Sequence, residues 1–139
     1  MIEFSYQTDF ELKEEKVYVD WLAQVADSND AVVESLGYVF CDDEFVFSMN
    51  VEHLNHDTYT DIITFDYGSE SVLEGEIYIS VDRVRDNASQ FGIEFHIELK
   101  RVMVHGLLHM LGYGDHTPEE KEVMRSLEDK FIGLFHVKH

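Results

Sequence analysis

His105-Gly106-Leu107-Leu108-His109-Met110-Leu111-Gly112-Tyr113-Gly114-Asp115-His116 is the stretch on which the reading of this chain turns. Histidines four residues apart lie one turn apart on the same face of a helix, where both imidazoles can reach one ion. Ile97, Val102, Val104, Leu107, Leu108 and Leu111 supply the apolar face such a helix needs, and Gly112 is a natural stop. The chain then turns back, so a donor just past the glycine can meet the same ion and leave a fourth position for water, which is the ligand geometry of zinc hydrolases. Histidines at this spacing also occur on helices that bind nothing. What favours a site here is the combination of Gly112 with Asp115 and His116 at ligand distance behind it.

The next helix is equally well marked. Thr117-Pro118-Glu119-Glu120 offers a capping residue, a proline at the first helical position and a glutamate three after the cap. The third donor therefore sits on a short loop clamped between two helices. Working back toward the N-terminus, Ile2–Gln7 alternates and predicts a strand, and Glu11–Asp27 predicts a helix through Leu12, Trp21, Leu22 and Val25. Tyr38–Cys41, Asp61–Tyr67 and Glu76–Ser80 read as further strands. Asp42–Asn55 fits either type, because Phe45, Met49 and Leu54 suit a helix and Phe45-Val46-Phe47 suits a strand. After Val81 the pattern is helical to the end, with breaks expected at Gly92, at Gly112–Thr117 and near Gly133. The expectation is an α+β fold: one mixed sheet of about four strands packed with about five helices, the metal helix near the C-terminus.

The chain has 139 residues, the size of one domain, and 45% of them are hydrophobic. We therefore expect residues 1–139 to form a single metal-dependent hydrolase domain. With Cys41 the only cysteine, no intrachain disulfide forms, and a reducing compartment fits. Met1-Ile2-Glu3-Phe4 lacks the basic and apolar regions of a signal peptide, and no apolar run approaches membrane-spanning length, so a soluble cytoplasmic protein is expected. Ten Lys and Arg face 29 Asp and Glu, a formal charge of −19. That balance repels nucleic acid at long range, although an ion and a few local cations can dominate a small cleft.

The metal stretch resembles the YbeY family, whose motif runs His-Gly-x-Leu-His-x-x-Gly-Tyr-Asp-His. Asp57 with Thr60-Asp61-Ile62-Ile63-Thr64-Phe65 resembles the family's Asp-x-Pro-Thr-Asp-Val-Leu-Ser-Phe, and Glu74-Gly75-Glu76-Ile77-Tyr78-Ile79 resembles its Leu-Gly-Asp-Ile strand. Met124 and Glu128 fall where the family has Met and Glu. The resemblance covers roughly residues 36–131. It implies an α+β fold, one zinc ion on three protein ligands, and single-strand-specific endoribonuclease activity in 16S rRNA 3′-end maturation and ribosome quality control. The implied partner is rRNA or a ribosomal particle, with a basic ribosomal protein as a further docking partner for so acidic a surface. Two departures stand out. Gly114 is inserted after Tyr113, so spacing favours Asp115 as third ligand while residue type favours His116, and both donor types bind zinc well. His53-Leu54 stands where the family has Tyr-Arg, so the arginine that would meet phosphate is missing.

An ion with an open position acidifies water into a nucleophile near neutral pH. Gly106 occupies the position of the general-base glutamate of His-Glu-x-x-His peptidases, which argues against peptide hydrolysis. Glu98, two turns before His105 on the same face, is the candidate to orient a ligand or act as base, or else a solvated helix glutamate. Asp57 and Asp61 are candidates, by resemblance, for supporting a metal ligand or meeting phosphate, and Asp61 equally suits a turn residue at the start of its strand. Arg83, Arg85, Lys100 and Arg101 are candidate sources of positive charge, and each is also a natural surface partner for the many acids. His53 and His56 precede the Thr60–Phe65 segment, and Tyr113 reads as packing. The competing readings are a zinc hydrolase of another substrate, such as a peptide, and a non-catalytic ribosome-associated factor stabilised by zinc.

Overall fold

The computed structural model describes residues 1–56, 58–69 and 71–138. Alternation along the strands builds a sheet with two apolar faces. β1 (Ile2–Tyr6), β2 (Val32–Cys41), β4 (Val72–Ser80) and β3 (Ile62–Asp66) lie side by side in that order. β1 and β4 run parallel to β2, and β3 runs antiparallel to β4 as one edge. Tyr38 and Phe40 of β2 go to the larger core, with Leu73, Ile77 and Ile79 of β4. Val39 and Cys41 point the other way, to a smaller cluster with Val46 and Ile63.

Helices cover both faces. α1 (Glu15–Ser28), α4 (Phe95–Met110) and α5 (Pro118–Lys138) fill the larger side, α3 (Val81–Phe91) packs on α4, and α2 (Asp43–Leu54) covers the smaller cluster through Val46. Five helices and one mixed four-stranded sheet among the described residues are the α+β fold expected. Leu99, Leu107 and Leu108 of α4 are fully enclosed, each contributing on the order of 1.5–3 kcal/mol by leaving water. Two buried hydrogen bonds fix the layers: Tyr38 Oη donates to the Met103 carbonyl at 2.8 Å, and Trp21 Nε1 donates to the Phe131 carbonyl at 2.7 Å.

The reading of the sequence is corrected at β2 and at Gly133, and the open choice after Cys41 falls to a helix. The strand expected at Tyr38–Cys41 begins at Val32, because pairing with β4 carries it back through Ser35 and Val33 while β1 joins only from Leu36 on; the register with β4 is irregular between Val33 and Ser35. The ambiguous segment after Cys41 is a helix. Asp42 accepts a hydrogen bond from the Phe45 N–H at 2.8 Å and Asp43 and Glu44 occupy the first turn, both helix-starting features. The break expected near Gly133 does not occur, since α5 runs through it. A Cβ at Gly133 would meet nothing within 4 Å, and buried Phe131, Ile132 and Phe135 offset the roughly 1 kcal/mol that a helical glycine costs. The expected breaks at Gly92 and after Met110 are present, and the first helix starts at Glu15, later than Glu11.

Lys100 is buried, with its ammonium 4.4 Å from the centre of the Phe135 ring. Burial holds its pKa below the ordinary lysine value of 10.5, with the Glu94 charge opposing that shift. A lysine pKa lowered by folding makes the charged form unfavourable in the folded state; the penalty is present at neutral pH and disappears as pH rises through the lowered pKa toward 10.5. Lys100→Met is therefore expected to be more stable than wild type at pH 7, by a margin that narrows as pH rises. Urea denaturation of both proteins across pH 7–10 measures this, and a constant margin contradicts it. Asp42→Ala is expected to lose about 1 kcal/mol in the same assay by removing the α2 cap.

Candidate metal centre

Along α4, positions 97, 101, 105 and 109 are the half-buried stripe of an otherwise largely enclosed helix. The close approach of Gly106 to the sheet fixes this rotation: a Cβ there would lie 2.9 Å from Ile62 Cδ1 and 3.0 Å from Ile77 Cδ1. A glutamate at 106, as in the peptidases, would collide with both. The helix ends in a Schellman turn. Tyr113 N donates to the Leu108 carbonyl and Gly112 N to the His109 carbonyl, with Gly112 at φ 103°.

The loop that follows is locked by the start of α5. Glu120 Oε1 accepts from the backbone N–H groups of His116 and Thr117, each at 3.0 Å, and Thr117 Oγ1 accepts from Glu120 N at 3.1 Å. This is the expected capping box, extended by one residue. It also explains Gly114, since a Cβ there would sit 2.6 Å from the Glu120 carboxylate. The inserted glycine lets the loop pass over the capping glutamate and turns Asp115 inward.

His105, His109 and Asp115 come together, with one donor atom from each lying within 4.8 Å of the others. His105 Nε2 and His109 Nε2 are 2.9 Å apart, and Asp115 Oδ2 is 3.4 Å from the first and 3.6 Å from the second. Tetrahedral zinc with bonds of about 2.0–2.1 Å requires donors about 3.3 Å apart, so the triangle fits one ion. His116 is exposed and outside this group.

Hydrogen bonding sets the tautomers. His105 Nδ1 faces Glu128 Oε2 at 2.7 Å, and His109 Nδ1 faces the Tyr113 carbonyl at 2.9 Å. Both partners are acceptors when Glu128 is ionised, so each Nδ1 carries the proton and each Nε2 presents a lone pair. With both rings neutral, three acceptor atoms thus converge with no donor among them, an arrangement that a proton or a metal cation resolves. Burial pulls the His105 pKa down, but the hydrogen bond and charge of Glu128, with the charges of Asp115 and Asp61, outweigh it and hold the imidazole above its ordinary value.

The group opens on a cleft of about 290 Å³ whose walls include Asp61, Glu98, Arg101, Arg125 and Glu128. Glu98 is 5% exposed, and its Oε1 has no hydrogen-bond partner among the described residues. Burial raises its pKa; Arg101 opposes this, while Asp61 adds to it. Asp61 accepts from Asn87 Nδ2 at 3.4 Å, and burial raises its pKa against the His105 charge. The cleft thus pairs a cation-binding triangle with two carboxyl groups suited to carrying protons.

Other candidates lie elsewhere. Asp57 is outside the described residues. Arg83 is held by Asp43 at 2.7 Å, and Arg85 lies over the Phe95 ring at 5.0 Å. His53 packs edge-on against Phe65, and Leu54 is exposed at the end of α2. Tyr113 orients His109 through its carbonyl, while its hydroxyl donates to Asn29 at 3.0 Å. The role of Glu128 was missed in the sequence. It is 5% exposed on α5, among Met124, Phe131 and Ile132, and a charge inside that apolar stripe was the available signal.

Two histidines on a helix and a carboxylate beside them, at the edge of an open cleft, form a group that could hold one metal ion, as in metal-dependent hydrolases. The family model described as Endoribonuclease YbeY matches residues 3–136. A relative named Endoribonuclease YbeY from Flavobacterium johnsoniae is 49% identical over 138 residues, covering 99% of both chains. One of the same name from Bacteroides thetaiotaomicron is 43% identical over 115 residues, covering 83% of this chain and 84% of its own. The solution structure of TM1509 from Thermotoga maritima superposes with a TM-score of 0.68 at 25% identity, covering 99% of this chain and 93% of that one. The chain belongs to the YbeY endoribonuclease family.

Because Glu128 orients His105 and strengthens its Nε2 as a donor, Glu128→Gln is expected to weaken zinc binding about 10–100-fold. Competition against a chelator of known affinity, with circular dichroism to check the fold, measures the loss. Unchanged affinity in a folded variant would contradict the assigned tautomer.

Proposed function

We propose that the chain is a metal-dependent, single-strand-specific endoribonuclease, one hydrolase domain holding one zinc ion on His105, His109 and Asp115. Family membership supports the nuclease chemistry, and the convergence of three acceptor atoms on an open cleft is the observation that carries the metal dependence. His116 is set aside as ligand because Gly114 and the capping glutamate turn Asp115 toward the histidines.

A zinc ion bound there supplies Lewis acidity, bringing the pKa of water near neutral and polarising a phosphoryl oxygen. The chain's residues do the rest. Glu128 and the Tyr113 carbonyl keep both imidazoles in the ligating tautomer. Glu98 Oε1, buried and without a hydrogen bond among the described residues, accepts the proton of the attacking water. Asp61, its carboxyl also held above the ordinary range, is the second proton-carrying group of the cleft. Glu98 acts as base in its ionised form, so cleavage rises with pH through its raised pKa.

We further assign the substrate to rRNA, with 16S 3′-end maturation and ribosome quality control as the setting and the cytoplasm as the place. No helix among the described residues is long and apolar enough to cross a membrane. The charge of −19 suits docking to a basic ribosomal protein. Peptide hydrolysis is disfavoured because the site has no room for a base at position 106. The missing arginine at Leu54 favours the alternative of a non-catalytic zinc-stabilised factor, whereas the three-donor open cleft favours catalysis.

The test is elemental analysis with single-stranded RNA cleavage on the same zinc-loaded samples. Wild type is expected to hold one equivalent and cleave, and His109→Ala to lose both. Glu98→Gln is expected to keep the metal and lose about 10²–10⁴ in rate. Metal-loaded wild type that leaves single-stranded RNA intact would refute the function. Cleavage by His109→Ala at the wild-type rate would refute the metal dependence.

A further inference from the structure

In a chain with ten cations against 29 acids, a cation without an acidic partner beside the metal donors is informative. Arg101 reaches the cleft but is tied down, with Nη1 3.0 Å from Glu128 and Nη2 2.8 Å from Asp129. Arg83 is bound to Asp43, and Lys100 is buried against Phe135. Position 54, where the family motif carries arginine, is leucine on a helix that covers the other face of the sheet.

Lys121 and Arg125 differ. They sit four apart on one face of α5, as neighbouring side chains on a helix do. Neither side chain makes an ion pair or hydrogen bond among the described residues, although Glu122 and Asp129 lie within helical reach. Both line a depression of about 250 Å³ with His105, Asp115, Met124 and Glu128. Arg125 also lines the larger cleft, so the two hollows share His105, Asp115, Arg125 and Glu128 and form one channel past the metal donors. The Arg125 charge is felt at Glu98, where it helps keep that carboxyl from rising further.

We infer that Arg125 and Lys121 form the phosphate-holding subsite of this chain. Arg125 grips a backbone phosphate beside the metal donors, and Lys121 meets a neighbouring one along α5. This rests on the ribonuclease reading for its substrate and adds to it the side from which the strand is held. A planar guanidinium matches two phosphate oxygens at once, and an ammonium acts as a point charge, so Arg125 sets geometry and Lys121 adds attraction. Phosphate binding thus lies on α5, and the leucine at 54 leaves no gap in the machinery. The overall negative charge keeps nucleic acid away from the rest of the surface and confines it to this strip.

The test measures binding of a short single-stranded RNA to zinc-loaded wild type, Arg125→Gln, Lys121→Gln, Arg125→Lys and Lys130→Gln across a salt series, with cleavage and zinc content on the same samples. Lys130 lies on the same helix with its ammonium over Phe131, so its variant loses the same charge outside the channel. Arg125→Gln is expected to bind about tenfold more weakly, with the log–log salt slope reduced by about 0.7, the value of one single-strand phosphate contact. Lys121→Gln is expected to lose less affinity and a similar slope. Arg125→Lys restores the slope but not the full affinity, Lys130→Gln matches wild type, and zinc content is equal throughout. Wild-type slopes in both Gln variants of the channel, with wild type still cleaving, would overturn the subsite and leave the function intact. Equal weakening by Lys130→Gln would reduce the effect to net charge and also overturn it. Arg125-dependent binding without cleavage would sustain the subsite and refute the nuclease, and no RNA binding by wild type would overturn both.

Discussion

The close contact of α4 with the sheet at Gly106 is the constraint on which the site depends. With no Cβ at that position, Ile62 and Ile77 approach the helix backbone, and their methyl groups act as a stop against rotation. A larger residue would have to displace Ile62 and Ile77 or shift the helix, and in the second case the half-buried stripe at 101, 105 and 109 would shift with it. The enclosed leucines on the remaining faces hold that setting by many small contacts rather than one strong one. The imidazoles are thus aimed by packing before any ion arrives, which is the preorganisation a tight metal site needs.

Electrostatics then works in layers outward from the triangle. Glu128 sits between His105 and Arg101, accepting from both, so one buried carboxylate orients a donor and is itself neutralised by a guanidinium. Arg101 continues to Asp129 at the rim and lies 3.9 Å from Glu98. Buried charges are tolerable only when linked in this way. Glu98 Oε1 and Arg101 Nε are the exceptions, buried and without hydrogen bonds among the described residues, and both lie on the cleft wall where substrate and water would enter. Unsatisfied polar atoms at that place are consistent with groups kept free for chemistry.

Much of this was legible because it is local. The i,i+4 histidines, the Gly112 stop and the Thr117–Glu120 cap each depend on residues within one or two turns, and each is found in place. The choice between Asp115 and His116 was not legible, since it depends on where the Glu120 carboxylate lies in space relative to Gly114. The early part of β2 was hidden because its extension comes from ladder pairing with β4, a partner remote in sequence, and the register irregularity there takes up Glu34. Gly133 misled because local helix propensity is weak against three buried neighbours. Glu128 carried only the signal of a charge in an apolar stripe, and Arg125 none, because only the docking of α5 on α4 brings them to His105.

The central claim is that one ion sits on His105, His109 and Asp115, and anomalous diffraction from zinc-soaked crystals tests it most directly. Data collected on both sides of the zinc absorption edge are expected to give a single strong difference peak within about 2.2 Å of both Nε2 atoms and an Asp115 carboxylate oxygen, with His116 remote. A peak coordinated by His116 in place of Asp115, or fully occupied zinc elsewhere with the triangle empty, would contradict the account.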